Sequence, residues 1–203
     1  AVALASIEVK GRMEGGQMAG HQDADMLGLK VSGARVNELL GRNVLLGDID
    51  VETHVHGPPD KIEINGTIKT GGATVAIDGS VGVGDPTNPS YDMGVTFKDV
   101  DTDKLLSPDM GIARVEVDKV SVSVKGKGPK VDTAGAVAKI NVSGVTARGV
   151  RVDGLDFEGE LEKGILKVKA VEVKAIGQRL TARGEVEIAT KRLDLTVGFD
   201  GDV

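Results

Sequence analysis

Apolar and polar residues alternate with a period of two along almost the whole chain of 203 residues, as at Ile62, Ile64 and Ile68. Successive side chains of a strand point to opposite faces, so this alternation predicts half-buried β-strands. Helical spacing of apolar residues occurs only at 36–40 and 103–106, and each segment is too short for an independent helix. The sequence therefore predicts an all-β fold with only short helical turns.

Two features of the alternation predict where strands turn or bulge. The apolar runs 180–188 and 193–199 are separated by only a few residues, which predicts a hairpin. The apolar positions change parity at Asp118-Lys119 and again at Lys169-Ala170. A two-residue repeat can change parity only through a bulge or a turn, so we expect one at each place.

Glycine recurs at apolar-facing positions inside five predicted strands. Glycine weakens a strand interior and supplies no packing, so its recurrence indicates places where the sheet bends or another backbone comes close. We interpret the pattern as an elongated, curled antiparallel sheet, groove-like or solenoid-like. The alternative is an ordinary sandwich with a valine-rich core, which three Phe, one Tyr and no Trp would fill poorly. The five positions are Gly11, Gly66, Gly79, Gly159 and Gly184.

A weak internal repeat supports one continuous architecture. Residues 26–40 align onto 92–106 without gaps at an offset of 66, and both copies place a Leu-Leu turn after a strand. Loop residues mark only weak breaks near 85–90 and 125–130. The sequence predicts a single β-sheet segment over 1–203, which we expect to be cut from a longer chain that carries any anchor.

Composition excludes several functional classes. The formal net charge is −6, whereas nucleic-acid binding requires a basic patch with arginines or stacking aromatics. The absence of cysteine excludes disulfides, thiolate metal sites and cysteine nucleophiles. No stretch approaches the roughly 20 apolar residues of a membrane-spanning helix.

The residues that could hold a metal have simpler interpretations. His54 and His56 share one strand face near Glu63, but apolar residues occupy the other face, so we place both histidines on the solvated side. Asp99, Asp101 and Asp103 resemble the start of a calcium loop. The match fails at Lys104, where that loop requires glycine, and we expect a solvated acidic strand edge.

No catalytic arrangement emerges from the sequence. A serine hydrolase would need a Gly-x-Ser-x-Gly elbow, which is missing, and glycosidase sites usually offer aromatic platforms. We therefore predict a protein that is not an enzyme and that uses no cofactor. What remains is a long face of Val, Ile and Leu, which is either a core or a ligand surface.

Three segments, 152–166, 177–186 and 192–197, carry a family resemblance. Their rhythm, in Val-Asp-Gly-Leu-Asp-Phe-Glu-Gly-Glu-Leu and again in Gly-Gln-Arg-Leu-Thr-Ala-Arg-Gly-Glu-Val, resembles the TamB and AsmA-like proteins of Gram-negative cell envelopes. The resemblance covers residues 24–203. It implies a groove-shaped sheet, called a β-taco, whose apolar inner face carries phospholipid acyl chains across the periplasm between the inner and outer membranes. Proteins with such a groove-shaped sheet are similar in kind to the eukaryotic bridge-like lipid transfer proteins.

The resemblance implies a periplasmic location and a set of groove-lining residues. Those it supplies are Leu155, Phe157, Leu161, Leu180, Val186, Ile188, Leu193, Leu195 and Val197. Periodicity adds Ile7, Val9, Ile49, Val51, Val55, Ile62, Ile64, Ile68, Val75, Ile77, Val81 and Phe199.

Two other functions stay open at this point. Exposed sheet edges could pair with strands of an outer-membrane protein or with neighbouring segments, which would make the chain an assembly scaffold. A closed dry core would make it a structural module without a ligand.

Overall fold

The computed structural model describes residues 2–3, 6–14, 17–129 and 134–201, and within these ranges it describes the side chains of Asp23 and of residues 28 onward. Within these residues, thirteen strands form one sheet. The strands are β1 (Val2–Ala3), β2 (Ser6–Glu14), β3 (Gln17–Val31), β4 (Ile49–Gly57), β5 (Ile62–Thr70), β6 (Ala73–Gly82), β7 (Ser90–Asp101), β8 (Val115–Lys127), β9 (Gly135–Ala147), β10 (Val150–Glu162), β11 (Ile165–Ala175), β12 (Gln178–Glu187) and β13 (Arg192–Asp200). Two short helices, α1 (Gly33–Leu40) and α2 (Thr102–Leu105), and a 3₁₀ turn (Pro108–Met110) interrupt them.

The sheet is an antiparallel meander. From β3 to β13 each strand pairs with the strand that follows it in the chain, while β1 and β2 both pair with β3. Within the described residues β13 pairs only with β12, so the sheet does not close. The prediction of an all-β, antiparallel fold with short helical turns is confirmed, and the sheet continues through both weak breaks, since β6 pairs with β7 and β8 with β9.

The molecule has an unusually large surface and very little core. Its accessible area is 12,786 Å², whereas a compact monomer of this mass would expose about 9,000 Å². No side chain in the described part is fully buried, and the buried apolar residues are Ile62, Ala73, Ala134 and Val168. The fold is therefore a single open sheet and not the sandwich that the sequence left as an alternative.

The segment that follows the first repeat copy meets the end of the second copy at one end of the sheet. The segment after α1 forms a bridge between Leu45 and Leu106. The Leu46 amide donates to the Leu105 carbonyl at 3.1 Å, and the Ser107 amide donates to the Val44 carbonyl at 2.8 Å. This end cap, residues 44–46 with 105–107, links α1 to α2 across the ends of the intervening strands.

Asp101 corrects one expectation. We expected a solvated acidic edge at Asp99, Asp101 and Asp103, but Asp101 is only 6% exposed. Its carboxylate accepts from the Asp103 amide at 3.1 Å, which caps α2, and from Arg114 at 3.1 Å. Burial opposes its ionisation, but the Asp103 amide, Arg114 and Lys104 outweigh burial and hold the pKa of Asp101 below its usual value.

The parity changes read from the sequence correspond to irregularities in the sheet. The register shifts between Val168 and Val171, where β11 carries an extra residue against both neighbours, as predicted at Lys169-Ala170. At Asp118 the ladders with β7 and β9 skip a pair. The predicted hairpin is confirmed as β12–β13, with Lys191 in the left-handed region at φ 55°.

The interruption at Asp118 extends across four strands, from β7 to β10. The unpaired positions are Asp99, Asp118, Gly144 and Asp153, and both Asp99 and Gly144 have positive φ, 55° and 60°. The parity of the apolar positions changes at the same level in all four strands. A row of valines on the far side of the interruption therefore stays paired from strand to strand. That row is Val100, Val117, Val145 and Val152.

Two of the recurring glycines lie where another backbone approaches closely. Gly79 and Gly184 both have φ of 148°, and a Cβ on either would overlap a carbonyl of the next strand, that of Asp92 or Asp194. The interpretation of inward glycines as close-approach points holds at these two positions.

Candidate functional site

The candidate site is one face of the sheet, built by strand register. Residues paired across neighbouring strands point to the same face, so the ladder pairs can be followed from strand to strand. Four parallel rows of paired residues result. Three of them begin at Ile62, Val55 and Val51, and the fourth, which we call the central row, lies between them. The central row contains Thr53, Gly66, Ile77, Val95, Val122, Ile140, Phe157, Val171, Ala182 and Val197. We call these four rows, from β4 to β13, the aliphatic face.

The predicted groove-lining residues belong to the four rows of this face, with four exceptions. Ile49 pairs with Thr70 and continues the pattern beyond the four rows. Ile188 lies in the turn after β12, where its amide donates to the Gly164 carbonyl at 3.0 Å. The side chains of Ile7 and Val9 lie outside the described part, although their backbones pair with Met26 and Ala24. The remaining predicted residues belong to the four rows.

The sequence-based list omitted the middle of the face. Strands β7 to β9 contribute Met93, Val95 and Phe97, then Val120, Val122 and Val124, then Ile140 and Val142. The alternation of Val120, Val122 and Val124 is as regular as that of the strands on the list, so the same period-two signal could have found these residues.

Most side chains of the aliphatic face are half-buried, and exposure increases toward β13. No second layer covers the face, because the described residues form a single sheet with short helices at one end. Leu193 is 65% exposed, Val197 61% and Phe199 59%. An uncovered apolar area of this extent is unusual on a protein surface and marks an interaction site.

The aliphatic face carries no charge. None of its four rows contains Asp, Glu, Lys, Arg or His. Tyr91 adds a phenol hydroxyl to one of these rows, and that group is uncharged. Ten strands at a spacing of about 4.8 Å make the face about 43 Å long across the strands. It can bind apolar groups of considerable length without directional contacts.

The opposite face, which we call the polar face, carries ladders of ion pairs. Lys169 contacts Glu160 at 2.8 Å, and Lys125 contacts Asp92 at 2.7 Å. A hydrogen bond from Lys169 lowers the pKa of Glu160, as one from Lys61 lowers that of Glu63. These charges keep one side of a thin sheet in water.

The polar face also holds a shallow depression of about 490 Å³ around short side chains. Its floor includes Thr96 and Ser121, whose hydroxyls lie 3.3 Å apart, and longer side chains such as Lys139 and Glu158 form its rim. The difference in side-chain length is sufficient to produce such a depression.

The histidines lie where the sequence placed them. His54 and His56 are exposed on the polar face, and His56 Nε2 lies 3.2 Å from Glu63 Oε2. Within the described residues no group of three or more His, Asp or Glu side chains could hold a metal ion.

The carboxyl pKa values predict how stability depends on pH. Glu63, Glu160 and Glu172 have lowered pKa values in the folded state, through hydrogen bonds from Lys61, Lys169 and Lys174 respectively. A lowered folded-state pKa adds stability above the ordinary carboxyl pKa, about 4.3 for Glu, and this stability is lost as the pH falls through the lowered value.

We therefore expect the free energy of unfolding to stay level from about pH 5 to 8 and to decrease below about pH 4. Urea unfolding at a series of pH values measures this, with Glu172→Gln expected to reduce the slope on the acid side. A main transition between about pH 5.5 and 7 would contradict the prediction.

Comparison with known proteins gives no match for this chain among protein-family models, curated proteins or solved structures. None of the helices in the described ranges has the length and apolar character needed to cross a membrane.

Proposed function

We propose that this chain binds phospholipid acyl chains on its aliphatic face, as a segment of a periplasmic protein that carries lipid between the inner and outer membranes. The observation that carries the proposal is the four-row, uncharged face that continues across ten strands without a covering layer. The proposed role is transport without chemistry, and it uses no cofactor.

The energetics of apolar burial suit this role. Each methylene transferred from water contributes about 0.8 kcal/mol to the free energy of binding and requires no particular partner. A lipid acyl chain can therefore move along the face without losing a directional contact. One leaflet of a bilayer core is about 15 Å deep, and the face, at about 43 Å, is longer than an acyl chain of that depth. An acyl chain would lie across the strands.

The proposal includes a sheet that curls around the acyl chains with the aliphatic face inside. Bulges bend strands and increase twist, and β3 and β11 each have one. The close approaches at Gly79 and Gly184 lie on the aliphatic face, where a side chain would collide with the backbone of the next strand. The polar face would remain in water and the lipid headgroup would stay at the opening.

The direct test is native mass spectrometry of the chain purified from Gram-negative envelopes, with organic extraction of the same sample. We expect adducts of phospholipid mass and phospholipid in the extract. A clean protein mass, with no phospholipid in the extract, would contradict the proposal.

A further inference from the structure

One rim of the sheet exposes far more apolar surface than the other. Alternate connections of an antiparallel meander lie at the same rim, and we call helical rim the one that carries α1, α2, the 3₁₀ turn and the turns at 71–72, 148–149 and 176–177. Outside the aliphatic face, the large apolar side chains that are more than half exposed in the described residues all lie at this rim. They are Leu39, Leu40, Leu46, Ile112, Val150 and Ile176. At the opposite rim the most exposed described residue of this kind is Ile188, at 42%.

The most exposed of these side chains is held outward by an ordered scaffold. Leu39 is 79% exposed in the last turn of α1. Asn37 Oδ1 accepts from the amides of Val44 and Leu45 at 2.8 and 2.9 Å, and Asn37 Nδ2 donates to the Leu45 carbonyl at 2.8 Å. Three hydrogen bonds from one side chain fix the return of the chain after α1, so Leu39 projects from a closed connection.

The connection with Ile112 belongs to the same unit. The Leu46 amide donates to the Leu105 carbonyl, and Asn43 Nδ2 donates to Asp109 Oδ2 at 3.4 Å. Ile112 follows the 3₁₀ turn that contains Asp109. The apolar tips of two connections that are far apart in the sequence are therefore displayed together.

The free charges beside the tips are basic. Arg42 lies in the chain between Leu40 and Leu46, and Arg148 lies in the turn before Val150. Both arginines are exposed, and neither side chain has an ion pair within the described residues. The acids of the α1 connection are engaged: Glu38 contacts an arginine, and Asp48 accepts from a backbone amide at 3.0 Å.

A row of lysines continues this charge on the polar face. Lys69, Lys98 and Lys119 lie in one ladder row near the helical rim, and none of them has an ion pair in the part of the chain that the structure describes. Lys98 lies directly opposite Lys119, and like charges at such positions destabilise a sheet. The acids beside them are Asp99 and Asp118, and Asp118 contacts an arginine at 3.1 Å. An anionic surface would relieve this repulsion.

We propose that the helical rim docks on the surface of a bilayer that contains anionic phospholipid. The tips Leu39, Leu40, Leu46 and Ile112 insert at the boundary between the headgroups and the acyl chains. Apolar side chains of interfacial segments reach about 5–10 Å into this boundary, while Lys and Arg side chains extend to the phosphates. Arg42, Arg148 and the lysine row supply those cations.

A bilayer fits these tips better than a folded protein partner does. Protein interfaces concentrate aromatic side chains and bury them in complementary pockets. The connections of the helical rim contain no Phe, Tyr or Trp, and their aliphatic tips are spread over several connections. A fluid bilayer accepts separate aliphatic side chains without a matching surface.

The contact adds a route of entry to the proposed function without depending on it. On β7 to β10 the uncharged row of Val100, Val117, Val145 and Val152 lies between the helical rim and the aliphatic face. An acyl chain that leaves the bilayer at the rim would meet these valines first. Docking itself uses only the rim, so either proposal can fail alone.

The chain contains no tryptophan, so a single introduced one reports the environment of the rim. In Leu39→Trp we expect the emission to shift to the blue on vesicles of phosphatidylglycerol and phosphatidylethanolamine, and to be quenched by brominated acyl chains. Val83→Trp, at an exposed apolar position of the opposite rim, is the matched control and should not change. No shift in Leu39→Trp, or equal shifts in both variants, would overturn the proposal.

Flotation with the same vesicles measures the affinity. Leu39→Asp should weaken binding by at least about tenfold, because burial of a leucine contributes that much or more. Arg42→Gln should weaken it by about threefold to fivefold, and Val83→Asp should leave it unchanged. A wild-type chain that fails to float, or that floats equally well with pure phosphatidylcholine vesicles, would overturn the proposal.

Leu195→Asp separates docking through the rim from lipid binding on the aliphatic face. Leu195 lies on that face and is already exposed, so the variant is expected to fold. We expect Leu195→Asp to lose co-purified phospholipid and still float, and Leu39→Asp to keep its phospholipid and lose flotation. Loss of flotation in Leu195→Asp alone would overturn docking through the rim and assign vesicle binding to the aliphatic face.

Discussion

Phospholipid retention should decrease at least tenfold in Val122→Asp and remain unchanged in Ser123→Asp. Val122 lies in the central row of the aliphatic face, between Val95 and Ile140. Ser123 is the next residue of the same strand and points to the polar face, opposite Gly94 and Lys139. The two variants therefore add the same charge at the same level of the sheet on opposite sides.

The expected tenfold loss of lipid follows from the number of acyl-chain methylenes that the added carboxylate keeps off the aliphatic face. A tenfold loss corresponds to about 1.4 kcal/mol, which is less than the contribution of two methylenes at about 0.8 kcal/mol each. A charged group in the middle of the face would displace more than that. Quantitative extraction of lipid per mole of protein measures the effect.

A loss of bound lipid is evidence about the aliphatic face only if the variant is still folded. Val122 is half-buried, so circular dichroism and urea unfolding should accompany the lipid measurement. Leu180→Asp provides a second variant at a position that is already 40% exposed, where unfolding is not expected. Retained lipid in both folded variants, or equal losses in the Ser123→Asp control, would contradict lipid binding on this face.

Gly144→Val should destabilise the protein by about 1–3 kcal/mol, because a β-branched residue is strained at positive φ. Gly144 has φ of 60°, and a Cβ there would overlap the Asp118 carboxylate. The Asp118 side chain is 62% exposed and contacts Arg151 at 3.1 Å, so it can turn aside at little cost, and the backbone strain at residue 144 carries the expected effect. Urea unfolding of the variant measures the loss.

Gly154→Val is the matched control for this prediction. Gly154 lies on the neighbouring strand β10, and a Cβ there would come no closer than 3.6 Å to the Val142 carbonyl. We expect a change within about 1 kcal/mol, with stabilisation allowed by the reduced entropy of the unfolded chain. Similar losses at both glycines would show that the parity change at Asp118 does not depend on the left-handed conformation of Gly144.

The features predicted best from the sequence are those that local alternation determines. The extra residue near Lys169 and the ladder interruption at Asp118 were predictable because a parity change has few structural solutions. The hairpin at Lys191 was predictable because its two strands are adjacent in the chain. Placing the groove-lining residues on one side of the sheet followed from the same rule.

The features that were missed depend on contacts between distant segments. The bridge from Leu45 to Leu106 joins residues whose sequences carry no mark of pairing. Asp101 was expected in solvent because nothing nearby in the sequence shows that Arg114 and the start of α2 enclose it. The central strands β7 to β9 were left off the predicted site although their apolar residues alternate as regularly as those of the strands that were included, so this omission was avoidable.

The meander has a consequence for how such a chain can change in length. Each strand packs mainly against its two neighbours, so no distant layer fixes the number of strands. Removal or duplication of one hairpin, such as β10–β11, restores the strand direction and changes the span by about 9.6 Å. A change of a single strand would reverse the direction of every later strand. Length in this architecture is therefore a modular quantity counted in hairpins, which duplication or deletion changes two strands at a time.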